Sequence, residues 1–150
     1  MEPEIRELEP QTAVIVRSTT TPEGIADLLH RDLPMLVGKL VGASIPVEHP
    51  PYVRYLTTGE SMDVEVGIPF DGPAPEPDGF EIGGLPGGRT AVMRHAGSYE
   101  KLRESWERFG GWAEARGDKP NGPFWESYFT NPREEPDPEK IYTDLFLPLE

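Results

Sequence analysis

The segment Phe124-Trp125-Glu126-Ser127-Tyr128-Phe129 sets one carboxylate among four aromatic rings. As a strand, its period of two puts Phe124, Glu126 and Tyr128 on one face and Trp125, Ser127 and Phe129 on the other. A carboxylate buried under a helix without a partner is costly to desolvate. Glu126 is therefore expected in a groove-lining position or at an exposed sheet margin. Between aromatic rings it would be a partly desolvated anion that draws lipophilic cations by charge and cation–π contact. The same desolvation raises a carboxyl pKa and suits the group to general-base work. The plain alternative is an exposed glutamate on an edge strand.

Other chemistry-bearing residues give weaker signals. His95-Ala96-Gly97-Ser98-Tyr99 reads as a strand-to-helix junction, where Gly97 turns the chain and His95 points from the strand end. His95 could touch a ligand or carry a proton; a histidine satisfied by local backbone is the simpler reading. His30, His49 and His95 are too scattered for a metal motif, and no metal or cofactor is expected. Gly83-Gly84-Leu85-Pro86-Gly87-Gly88 lacks the lysine of a phosphate loop and leads into a strand, so it reads as a turn. Ser98 is expected to cap the helix it opens. The acidic, proline-rich Glu134 to Glu139 reads as a solvated loop without calcium-loop spacing.

These residues need elements to hold them. Residues 1–10 are charged and bracketed by prolines, a loose lead-in. Gln11 to Arg17 reads as a strand, and Thr21-Pro22-Glu23 as a helix start with Thr21 at the N-cap. Apolar positions from Ile25 to Val41 follow a helical period, with Pro34 expected to kink or split the helix. Tyr52 to Thr57 and Asp63 to Phe70 form a hairpin. Residues 71–87 read as a proline- and glycine-rich connector.

The second half repeats the first. Thr90-Ala91-Val92 matches Thr12-Ala13-Val14 at an offset of 78, the strand from Pro123 to Thr130 answers the Pro51 strand at 72 or 73, and Phe146 to Leu149 answers Gly67 to Phe70 at 79. In the helix between them, Tyr99, Leu102, Trp106, Phe109 and Ala113 form the core stripe, and Trp112 on its flank could border a groove. The expected fold is α+β, one domain of two β-α-β-β units (about 11–70 and 88–149) related by a pseudo-twofold. They would form a curved antiparallel sheet with two helices on one face and a ligand groove on the other. The faces of Tyr52, Tyr55 and Tyr142 stay open at this stage.

Composition bounds the function. The formal net charge is −13, which disfavours direct binding to nucleic acid or anionic membranes. Cysteine is absent, which removes disulfides, thiolate nucleophiles and cysteine-held metals. No apolar run approaches the ~18 residues that span a bilayer, and the acidic first residues do not resemble a signal peptide. A cytoplasmic protein is the expectation.

The motifs together resemble a known family. His95-x-Gly97-x-Tyr99, the helix with Trp106 and Trp112, Gly122 to Tyr128, Asn131-Pro132 and the closing Leu147-Pro148-Leu149 resemble the GyrI-like small-molecule-binding domains. In the first half, Tyr55 and Val64 to Pro69 fit the same pattern. These domains also occur as effector-binding parts of bacterial multidrug-sensing regulators. The resemblance implies a duplicated fold with an aromatic-lined groove, and matches the family's ligand-contacting glutamate to Glu126. Phe124, Tyr128, Tyr55, Tyr142, Trp112 and His95 complete the expected ligand-binding set. Residues 1–10 cannot hold a helix-turn-helix, so a stand-alone domain is expected, its oligomeric state open.

Three readings follow. The first is a binding module for lipophilic, cationic or planar aromatic compounds. In the second, which the resemblance to the family's cyclopropanoid hydrolases implies, Glu126 activates water against a strained ring with Tyr55 or Tyr142 assisting. The third is an inhibitor that engages a protein partner of gyrase type through its acidic surface.

Overall fold

A computed structural model describes residues 2–73, 81–131 and 134–150. It is α+β, and its chain divides into two compact units, Glu9–Gly87 and Gly88–Glu150, the latter joined by the leading segment up to Leu8. The N-terminal unit holds β2 (Gln11–Thr20), α1 (Ile25–Gly42), β3 (Tyr52–Tyr55), β4 (Met62–Pro69) and β5 (Ile82–Leu85), preceded in the chain by β1 (Glu4–Leu8). The C-terminal unit holds β6 (Gly88–Ala96), α2 (Leu102–Ala115), β7 (Trp125–Tyr128) and β8 (Tyr142–Pro148), with β1. Both repeat the expected β-α-β-β plan.

Within the N-terminal unit, β4 pairs antiparallel with β2 and with β3, and β5 adds to the outer edge of β2. Within the C-terminal unit, β8 pairs with β6 and β7, and β1 adds to the outer edge of β6. The lead-in and the connector were expected to lack structure; each instead holds a strand. Moreover, each of these strands pairs away from the repeat it leads. β1 precedes β2 but pairs with β6, and β5 precedes β6 but pairs with β2. Only Glu9-Pro10 and Pro86-Gly87 separate each leading strand from the next. The favoured two-residue hairpin turns need a positive φ at their first position, which neither Glu9 before a proline nor Pro86 supplies.

Pro34 does not split α1, which runs unbroken for 18 residues. Leu28, Asp32, Leu36 and Leu40 form its buried row, while Pro34 faces solvent, so the carbonyl left without an amide donor can take water. In both units the helix is entered through a 3-10 turn, Pro22–Gly24 and Tyr99–Lys101. Neither Thr21 nor Ser98 makes the side-chain capping bond expected of it.

The repeat register also differs from the Thr-Ala-Val match. Ser18 accepts from Arg31 of α1 at 3.2 Å, and His95 meets Ser105 of α2 at 2.6 Å, so these two residues face their helices. That makes 77 the structural offset of β2 and β6; an offset of 78 would turn every side chain to the wrong face. With 79 for β4 and β8, 73 follows for β3 and β7. Arg17 thus corresponds to Arg94, Glu65 to Asp144, Val53 to Glu126 and Tyr55 to Tyr128.

The helix-facing core of the C-terminal unit is Ala91, Met93, Phe109, Ala113, Leu145, Leu147 and Leu149, with Ile5 of β1, Leu102, Trp106, Trp112 and Phe124 packed against it. Gly97, at φ +133°, makes the turn from β6 towards α2 in a conformation that other residues resist. In the N-terminal unit, Tyr52 lies flat across Gly67 of the neighbouring strand. A Cβ at position 67 would stand 2.5 Å from that ring.

Candidate functional site

Glu126 stands in the second position of β7, 5% exposed. It is paired in register with Leu145 of the core, which puts it on the face that α2 covers. Trp106 of α2 donates its indole N–H to Oε1 at 2.8 Å, and Tyr128 donates its hydroxyl to Oε2 at 2.9 Å. Glu126 was expected in a groove or at an exposed margin because burial under a helix without a partner is costly; it is instead buried on the helix-covered face, with partners. It lies there because two uncharged donors are built around it, which offsets its desolvation. Trp106 serves core and site at once, its ring 4.7 Å from Phe124 and 5.7 Å from Phe109.

Tyr99, at the entry to α2, completes the group described in this unit. Its ring meets Tyr128 edge-on at 5.5 Å. Burial, then the nearby Glu126 charge, pushes the Tyr99 phenol up to about 12. The phenol thus stays protonated near neutrality.

The other expected residues sort by face. Phe124 packs on Trp106, as above. His95 is buried and latches β6 to α2, with Nδ1 2.6 Å from Ser105 Oγ and Nε2 2.9 Å from the Ser98 carbonyl. The carbonyl can only accept, so Nε2 donates to it, while the Ser105 hydroxyl can serve Nδ1 as donor or acceptor. This is the local-backbone reading of His95. Trp112 belongs to the core, next to Phe109, with the Arg116 guanidinium 4.9 Å over its ring. Tyr142 alternates with Thr143 and Leu145, so it lies on the opposite face of β8 from Glu126. There it and Phe129 both contact the Arg94 guanidinium, which pairs with Asp144 at 2.7 and 3.1 Å. Tyr55 is half-buried at the end of β3 in the N-terminal unit. Sequence reasoning left Trp106 and Tyr99 in the core stripe. The signal for Trp106 was its own N–H, a donor that needs an acceptor when buried.

An open cleft lined by Glu2, Glu4, Arg6, Val92, Arg94 and Asp144 also lies in this unit, on the face opposite Glu126. Five of its six lining residues are charged, of both signs, and Val92 is its one apolar side chain, so it lacks the mainly apolar lining of a lipophilic pocket. Among the described residues there is no cluster of three or more metal-ligating side chains. No helix of the described residues is long and apolar enough to cross a membrane.

The chain belongs to the GyrI-like family: the model of the GyrI-like small molecule binding domain matches residues 1–150. Its fold is similar to that of EcmrR. The isolated C-terminal domain of EcmrR superposes with a TM-score of 0.80 at 17% identity, covering 99% of this chain and 97% of that one. In the EcmrR–DNA complex the TM-score is 0.82 at 16% identity, and the 99% of this chain that matches spans only 57% of the EcmrR chain. SAV2435 bound to tetraphenylphosphonium is similar at TM-score 0.68 and 14% identity, covering 100% of this chain and 94% of that one. A hydrolase from Listeria innocua gives 0.69 and 14%, covering 99% and 92%.

Proposed function

We propose that this domain binds lipophilic organic cations, with Glu126 as the charge-selecting group and Trp106, Tyr128, Tyr99 and Phe124 as its aromatic surround. The observation that carries this reading is a carboxylate 5% exposed, hydrogen-bonded by an indole and a phenol. An anion in that setting prefers a cation that gives up little hydration, and a delocalised or aryl-shielded charge meets that condition. SAV2435 is a relative whose structure holds such a cation, tetraphenylphosphonium. Tyr55 is the counterpart of Tyr128 in the other repeat.

The test is titration of tryptophan fluorescence with tetraphenylphosphonium and with its anionic isostere tetraphenylborate. The expected result is preference for the phosphonium, with Glu126→Gln weakening it about tenfold and leaving the borate unaffected or improved. Equal affinities for the two ions, both indifferent to Glu126→Gln, would overturn the proposal. The same carboxylate supports a second reading, water addition to a strained ring, in keeping with the relative described as a hydrolase. Incubation with cyclopropane-bearing alkylators, followed by mass spectrometry, separates the two. A product one water heavier, lost in Glu126→Gln, is expected only of the enzyme.

A further inference from the structure

A second buried carboxylate lies in the N-terminal unit, on the face of its strands opposite α1. Glu65 of β4 is 0% exposed and accepts the Tyr52 hydroxyl on Oε2 at 2.8 Å. Pairing puts Arg17 of β2 and Arg54 of β3 beside it on either side, so three charged residues stand in one row across three strands. Arg17 reaches Oε1 through Nε alone, at 3.3 Å, with its side chain 58% exposed. Arg54 makes no hydrogen bond or ion pair among the described residues, and its Nε is buried without a partner.

The equivalent row in the C-terminal unit shows what a balanced arrangement looks like. Arg94 grips Asp144 with two nitrogens, and the place of Arg54 is held by Ser127. The N-terminal row therefore carries one guanidinium more than its carboxylate needs, in a chain whose net charge is −13. Tyr52 occupies one carboxylate oxygen and fixes the other towards Arg17. The terminal nitrogens of Arg17, like the whole Arg54 fork, are left without protein acceptors among the described residues. The next carboxylate on this face, Asp63, accepts instead from Thr19 one row further on.

We infer that Arg17 and Arg54 together hold an oxyanion, a carboxylate or a phosphate, over the Glu65–Tyr52 pair. Guanidinium forks match the two-oxygen edge of either group, and the half-buried position of Arg54 strengthens its bonds. The acidic surface elsewhere repels anions, so saturable binding of one would have to be local.

Calorimetric titration of the full chain at low ionic strength, with inorganic phosphate in one arm and benzoate in the other, tests this. Single-site binding of at least one of them is expected, and which one binds identifies the oxyanion. Arg54→Gln should weaken it by about tenfold or more, and Arg54→Lys by less, since it keeps the charge without the fork. Arg103→Gln, which alters an exposed pair with Glu107 on α2, should change nothing. Absence of saturable binding of both anions by the wild type overturns the inference, as does equal binding by the wild type and a folded Arg54→Gln. If Arg54→Gln fails to fold, Arg54→Lys and Arg17→Gln decide by the same criterion.

Discussion

At the scale of single residues, the two buried glutamates occupy different positions of the repeated plan. Val53 fills in one repeat the position that Glu126 takes in the other, so the aromatic-ringed anion is a departure from the repeat. The strand period was enough to place Glu126 with Phe124 and Tyr128 on one face. Which side of the strand that face takes was not legible, because the cost of burying a carboxylate depends on its donors, and the indole N–H that pairs it comes from a different element. The coupling of Tyr99 to this anion has a measurable sign. Its phenol holds a proton more tightly when folded, at about 12, than at the ordinary 10.0. That contribution to stability is full below pH 10 and fades as the pH rises from about 10 to about 12. Urea midpoints followed across this window should fall less steeply in Tyr99→Phe. Some decline will remain, because Tyr52, pushed higher still by burial and by Glu65, titrates beyond it.

At the scale of elements, the central strands and both helices were legible, because each presents an apolar face with a clear period. The edge strands were not. β1 reads Glu-Ile-Arg-Glu-Leu and β5 reads Ile-Gly-Gly-Leu, and charge or glycine is what an exposed edge favours and what weakens a strand signal. Pro34 misled for a related reason, since a proline on the solvent side of a helix loses one bond that water replaces. β1 nonetheless contributes Ile5 to the C-terminal core and a five-residue ladder to β6. Deleting residues 2–8 should cost about 2 kcal/mol or more in urea unfolding, with Ile5→Ala accounting for only part of it. An unchanged midpoint would mean that β1 adds nothing to the C-terminal unit.

At the scale of the whole molecule, a formal charge of −13 on 150 residues is a standing self-repulsion. Raising NaCl from about 10 to about 300 mM should lift the thermal midpoint while slowing the capture of a phosphonium cation, because screening relieves the first effect and removes the attraction behind the second. Stopped-flow and melting curves on one sample would show the opposite trends.

The exchanged leading strands carry a consequence for how such a chain can exist. Proline at Pro10 and Pro86 disfavours folding either strand back onto its own repeat. A lone repeat would therefore own one strand with no place at home and one edge with no cover. Two separate copies would answer both needs by swapping those strands, at the mercy of concentration. Fused head to tail, the same swap becomes intramolecular and holds at any dilution. This domain is, in that sense, a swapped dimer made permanent by one peptide chain.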